Sequence, residues 1–193
     1  TEFDEKFHAL VEKREKYVET RATVDQELAL PFAKRDRTFF KKYLESSNLL
    51  IDTAVNAWRR ISRESVGSDA VLRDLAQIRD FAWSLQDTAE RERLNVAQSI
   101  ATQTPMQEQI QKENNAKRVQ INQLNLLLKQ MNAGKIDPRI DDALLKIEEN
   151  YFQAYRTLLT KVERASNIAL ATSKSQFTLP KPNYPMDAQA WSD

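Results

Sequence analysis

Residues 78–106, IRDFAWSLQDTAERERLNVAQSIATQTPM, carry an amphipathic helical pattern with charges set into its apolar side. At about 100° per residue, Val71, Leu75, Ile78, Ala82, Leu85, Ala89, Val96 and Ile100 share one apolar arc. Arg93 projects near the middle of that arc, Arg79 and Gln86 lie beside it, and Glu92 falls on the other margin. Burying a guanidinium is costly unless a partner compensates it. Two readings follow. Carboxylates of the chain, with Asp87, Glu90 and Glu92 close by, neutralise these arginines, or a ligand does.

The rest of the chain extends the helical reading. Its two glycines, Gly67 and Gly134, both sit between periodic segments, where helices end. Ala, Leu, Gln, Glu, Lys and Arg are abundant, and no segment alternates with period two. The sequence therefore predicts an all-α protein. A chain of 193 residues suffices for one domain with a sizeable core.

The first helix starts near Glu2, with Phe3, Phe7, Leu10, Tyr17, Val24 and Leu28 in a 4-3 register that Arg14 and Arg21 also occupy. Pro31 kinks or breaks it, and a further helix runs to about Ser65. Phe40, Leu44, Leu50, Ile51, Ala54, Trp58 and Ile61 supply that helix's core face. Ser68 or Asp69 caps the helix carrying 78–106. Thr104-Pro105-Met106-Gln107 reads as a capping box opening the next, over roughly 105–132. Its seam is Ile110, Ile121, Leu124, Leu128 and Met131, with Asn114 and Lys117 at seam positions. Those two mark either a helix end projecting past its neighbours or a polar bundle section facing a pocket.

Asp137-Pro138 starts the last long helix, with a core stripe of Ile140, Leu144, Ile147, Tyr151, Ala154, Leu158, Val162, Ala165 and Ala169. Phe152 and Leu159 add a flanking stripe. Four antiparallel helices with short turns give an up-down four-helix bundle with a long first helix. The expected domains are a bundle over 1–172 and, over 173–193, an extended strap with the start of a helix capped by Asp187. A chain ending one turn into a helix is expected to be part of a longer protein.

Composition narrows function. Lys and Arg number 29 against 28 Asp and Glu, for a net charge of +1, so nothing electrostatic favours nucleic acid. No apolar run approaches the roughly 20 residues of a membrane span, and no stretch reads as a signal peptide. With no cysteine, thiol catalysis, disulfides and thiolate metal sites are excluded. The single histidine, His8, makes no zinc site without clustered carboxylates. No phosphate loop, nucleophile elbow or di-iron ExxH spacing occurs. Asp141-Asp142 and Glu148-Glu149 read as solvated faces. No catalytic residue, metal or cofactor is expected, and the chain is not expected to be an enzyme.

The run Arg79, Asp80, Trp83, Leu85, Asp87, Ala89, Arg91, Glu92 and Arg93 resembles a segment of the periplasmic helical sensor domains of bacterial methyl-accepting chemotaxis proteins, of the nitrate- and nitrite-sensing type. LPFAKRD (30–36), ENYFQAYRTL (149–158) and NYPMDAQAW (183–191) fit the same pattern. Gln86 and Glu90 depart from it, standing where arginine and glycine are frequent, and both change the charge near any pocket.

The resemblance implies an extracytoplasmic ligand-sensing domain on the periplasmic side of the inner membrane, dimeric, and flanked by membrane spans outside this chain. It would bind a small molecule between helices, an anion being one candidate, and pass a packing change across the membrane. Arg93 is the leading ligand contact, with Arg79, Arg91 and Trp83 in support. Arg79 and Arg93 stand about 21 Å apart along the helix, so one small ligand cannot touch both. The competing reading is a cytoplasmic scaffold that docks partner helices on the Phe152 and Leu159 stripe.

Overall fold

The computed structural model describes residues 2–31, 34–36, 38–65, 69–134, 137–172 and 180–192, and among them it is all helical, without a strand. Gly67, Ser68 and 173–179, which the sequence assigns to a turn and to the strap, lie outside the described residues. So do the side chains of Phe3 and Ser65. The chain divides into two compact units, Thr1–Arg73 and Asp74–Asp193.

The first unit is built on α1 (Glu2–Ala29) and α2 (Phe39–Ser65), which pack along one another. Of the kink and the break that the sequence left open at Pro31, the structure shows the break, and the chain doubles back. The turn's chemistry comes from Arg35 and Asp36. The Arg35 guanidinium donates to the carbonyls of Leu30 (2.9 Å) and Leu28 (3.0 Å), closing the end of α1. Asp36 accepts from the amide and the hydroxyl of Thr38, each at 2.8 Å, and so fixes the turn that leads into α2. Tyr17 and Tyr43 join the helices through their hydroxyls at 3.2 Å. Val24 and Ser46 are buried, but much of the expected α2 core face is not: Phe40, Ile51, Trp58 and Ile61 are exposed.

The second unit contains the body of α3 (Ala70–Thr102), α4 (Glu108–Met131) and a helical run from Pro138 to Thr172. That run is α-helical over Pro138–Ile147 (α5), π-helical over Glu148–Tyr155 and α-helical again over Arg156–Thr172 (α6). One core cluster joins Ile78 and Leu85 of α3 to Ile121 and Leu128 of α4 and Leu144 of α5. The other joins Val96 and Ile100 to Leu159 and Val162 of α6 and to Met106, Tyr184 and Trp191. At α3's start, Asp69 accepts from the amides of Val71 and Leu72. At α5's start, Asp137 accepts from the amide of Arg139, with Pro138 next in line. Both caps are those the sequence predicts.

Three features depart from expectation. Helix α4 starts at Glu108, and Gln107 makes no side-chain cap. The Thr-Pro-Met segment is instead pinned into the core: Ser166 Oγ accepts from the Met106 amide at 2.8 Å, and Tyr184 donates to the Thr104 carbonyl at 2.7 Å. The strap then returns to the bundle. Tyr184 and Trp191 are buried, and α7 (Ala188–Ser192) is capped by Asp187, as expected. Finally, the π-helical stretch adds a residue to the turn and advances the core register by one. Leu144, Leu159, Val162, Ser166 and Ala169 are buried, while Ala154 of the expected stripe is exposed.

Candidate functional site

A charged layer crosses the second unit where α3, α4 and the last long helical run meet. Its centre is Glu92, with no exposed side-chain surface. A carboxylate in that position needs compensation on both oxygens, and it has it. Arg118 of α4 donates Nε–H to Oε1 at 2.7 Å, and Tyr151 of the π-helical stretch donates its hydroxyl to Oε2 at 2.5 Å. Arg118 also donates to Glu163 of α6 and, at 3.2 Å, to Asn115 Oδ1. One guanidinium thus bridges carboxylates from two helices.

The surroundings hold these groups in their charge states. Burial works against the Arg118 cation, but hydrogen bonds to Glu163 and Glu92 outweigh it and raise its pKa. Burial and the hydrogen bond to Glu92 push the Tyr151 phenol far above its usual range, so it remains a donor. Tyr155 stacks on Tyr151 at 5.2 Å and is pushed up by burial and by Glu92. Arg156 lies 5.0 Å from the Tyr151 ring centre and 5.3 Å from that of Phe152, and donates to Asn122 at 3.2 Å. Toward the end of α3, Asn95 donates to Oδ1 of the fully buried Asn114 at 3.0 Å. The polar half of α4 is therefore not a projecting helix end.

The layer has a surplus of donors. Asn114 Nδ2, the Tyr155 hydroxyl and Arg156 Nε are buried without a hydrogen-bond partner among the described residues. Groups rich in acceptors complement such a layer.

The residues singled out by sequence lie elsewhere on α3. Arg93 does not sit deepest: its side chain is 35 % exposed and pairs with Glu90 at 3.0 Å. Its carbonyl accepts from the Trp191 indole at 3.1 Å. Arg91 pairs with Asp87 at 2.9 Å, and Arg79 with Asp80 at 2.9 Å. Trp83 is exposed. The deepest charge is Glu92, because α3 is rolled toward Thr88, Glu92 and Ser99, all buried. Arg118 and Glu163 went unremarked in the sequence. The available signal was Asn114 and Lys117 on the α4 seam, which placed a polar layer one turn from Arg118.

Among the described residues no cluster of three or more metal-ligating side chains occurs. No helix among them is long and apolar enough to cross a membrane. No protein-family model, curated protein or solved structure matches the chain. The likeness to chemoreceptor sensor domains thus rests on the motif residues alone.

Proposed function

We propose that the chain is a ligand-sensing domain of a transmembrane chemoreceptor, on the periplasmic side of the membrane and working as a dimer. Its scaffold is a helical bundle of the up-down four-helix type, and the second unit is its responsive part. The observation that carries this reading is the fully buried Glu92, satisfied only while α4 supplies Arg118 and the π-helical stretch supplies Tyr151. A network of this kind is complete in one packing of three helices and broken in others, which is what a two-state element requires. A π-helical stretch inside a longer helix is frequently found at functional positions. An acceptor-rich small molecule entering the layer competes with Glu92 and Glu163 for donors and shifts the packing. Arg93, Arg79, Arg91 and Trp83 flank α3 on its more exposed side and remain candidate contacts for the ligand's approach.

The test is a thermal-shift screen of anions, organic acids and amino acids, followed by calorimetry. A ligand at 100 times its dissociation constant adds about 2.7 kcal/mol of stability, several degrees in Tm. The true ligand is expected to bind Arg118→Met much more weakly than the parent. If no compound of these classes shifts the melt, the sensor reading is wrong. If a ligand binds but Arg118→Met leaves its affinity intact while Arg93→Ala abolishes it, the site lies on the outer side of α3.

A second reading, a scaffold for partner helices, finds support in α2 rather than in the last helix. Leu159 is buried and Phe152 half-buried. On α2, Phe40, Ile51, Trp58 and Ile61 are exposed, on a 4-3 spacing that also takes in Leu44 and Ala54 and is interrupted by Ser47. Membrane spans encoded on both sides of this sequence would favour the sensor, and their absence the scaffold.

A further inference from the structure

A cavity of about 540 Å3 lies between α1 and α2 in the first unit. Ligand pockets commonly span roughly 300–1,000 Å3. Small polar residues line it on both helices: Thr20 and Thr23 of α1 and Ser46 of α2. Val24 and Phe39 give it an apolar side toward the turn.

Ser46 decides what the cavity can hold. It is 9 % exposed, and its hydroxyl makes no hydrogen bond among the described residues. Unlike the sealed orphan atoms of the Glu92 layer, this oxygen keeps contact with the cavity. It is therefore a free donor at the wall. The threonines differ. Thr20 donates to the Lys16 carbonyl at 2.8 Å and Thr23 to the Glu19 carbonyl at 3.1 Å, so their protons are spent and their lone pairs remain.

The charges sort in the same way. Lys13 pairs with Glu12 at 2.7 Å, Lys42 with Asp36 at 3.2 Å and Glu45 with Lys41 at 3.8 Å. Lys16 and Glu19 form no ion pair among the described residues, and Glu12, which also feels Lys16, is already held by Lys13. These two open charges stand about 4.5 Å apart along α1. A simple anion here would meet Glu19, and a simple cation would meet Lys16. A molecule carrying both charges side by side satisfies both.

We infer that this cavity binds a free α-amino acid with an apolar side chain. Its carboxylate accepts from the Ser46 hydroxyl and Lys16, its ammonium donates to Glu19 and the Thr23 hydroxyl oxygen, and its side chain rests on Val24 and Phe39. The site shares no residue with the Glu92 layer and does not depend on the sensor reading.

The experiment titrates leucine into the full chain by calorimetry. Isocaproate, which lacks the ammonium, and isopentylammonium, which lacks the carboxylate, are the controls. Leucine should saturate the site by about 10 mM, and each control should bind at least about fivefold more weakly. Ser46→Ala should weaken leucine about tenfold, the worth of a hydrogen bond to a charged group. It breaks no hydrogen bond among the described residues, so the fold is kept. Lys16→Met and Glu19→Gln, at exposed positions, should each weaken it about fivefold. Arg118→Met should leave it unchanged. The inference is overturned if leucine does not saturate, if either control matches it, if Ser46→Ala binds like the parent, or if Arg118→Met abolishes binding and so moves the ligand to the Glu92 layer.

Discussion

Arg118 Nε and Glu92 Oε1 lie 2.7 Å apart, and Glu92 has no water-exposed side-chain surface. The pair is unequal, since Arg118 keeps 19 % of its side-chain exposure and a second carboxylate, Glu163. Arginine can turn toward water if the pair is broken, and Glu92 cannot. Losses should therefore be asymmetric.

Replacing Arg118 with Met leaves a buried carboxylate held by Tyr151 alone. Breaking a buried pair typically costs about 3–5 kcal/mol, and the lower end applies here because Arg118 is only partly buried. Glu92→Leu combined with Arg118→Met should cost less than Arg118→Met alone, since no buried charge is then stranded. Urea denaturation of the four proteins in this cycle checks the sign. Simple additivity would show that Glu92 and Arg118 are not coupled.

Tyr151→Phe keeps the ring stacked on Tyr155 and removes only the hydroxyl that meets Glu92 at 2.5 Å. A hydrogen bond to a charged group contributes about 1.5–3 kcal/mol. The expected result is a lower urea midpoint of that size, with an unchanged slope. Tyr155→Phe, whose hydroxyl has no partner among the described residues, should cost much less.

What the sequence revealed and what it hid follow from one distinction. Apolar periodicity placed Ile78, Leu85, Val96 and Ile100 in the core, and the proline and aspartate signals placed the start of α5. It could not place Glu92. The buried face of α3 is turned by about 45° from the apolar arc, at 3.6 residues per turn, toward Thr88, Glu92 and Ser99. Those side chains count as polar in any hydropathy pattern. Glu92 and Thr88 go inward because Arg118, Tyr151 and the carbonyl of Ser84, to which Thr88 donates, satisfy them. The first two partners lie 26 and 59 residues away in sequence. The π-helical stretch hid Ser166 for a related reason, since a fixed 3.6-residue period cannot absorb one extra residue.

Trp191 anchors the returning strap. It is 5 % exposed, lies 5.4 Å from the Tyr155 ring centre and donates to the Arg93 carbonyl. Trp191→Ala should cost about 3 kcal/mol, the low end for a buried tryptophan, because the five-residue helix that carries it can readjust. Trp58 and Trp83 are exposed, so the blue edge of the tryptophan emission should belong to Trp191 and vanish in this variant. An unchanged spectrum would mean that the strap does not dock in solution.

Lys117 supplies the pH test. Burial holds its ammonium below the usual 10.5, against the pull of Glu113 and Glu92, and Arg91 adds to the lowering. The folded state thus releases this proton more readily than the unfolded chain. Below the folded value the burial penalty is present in full. As pH climbs from there to 10.5 the penalty fades, so this group makes stability rise with pH across that window. Lys117→Met removes the penalty and keeps the stem's packing, so it should melt at a higher temperature than the parent at neutral pH. The difference should narrow as pH approaches about 10. Melting curves by circular dichroism at both pH values decide it. A variant less stable at neutral pH would show that the ammonium is held by its carboxylates more strongly than burial opposes it.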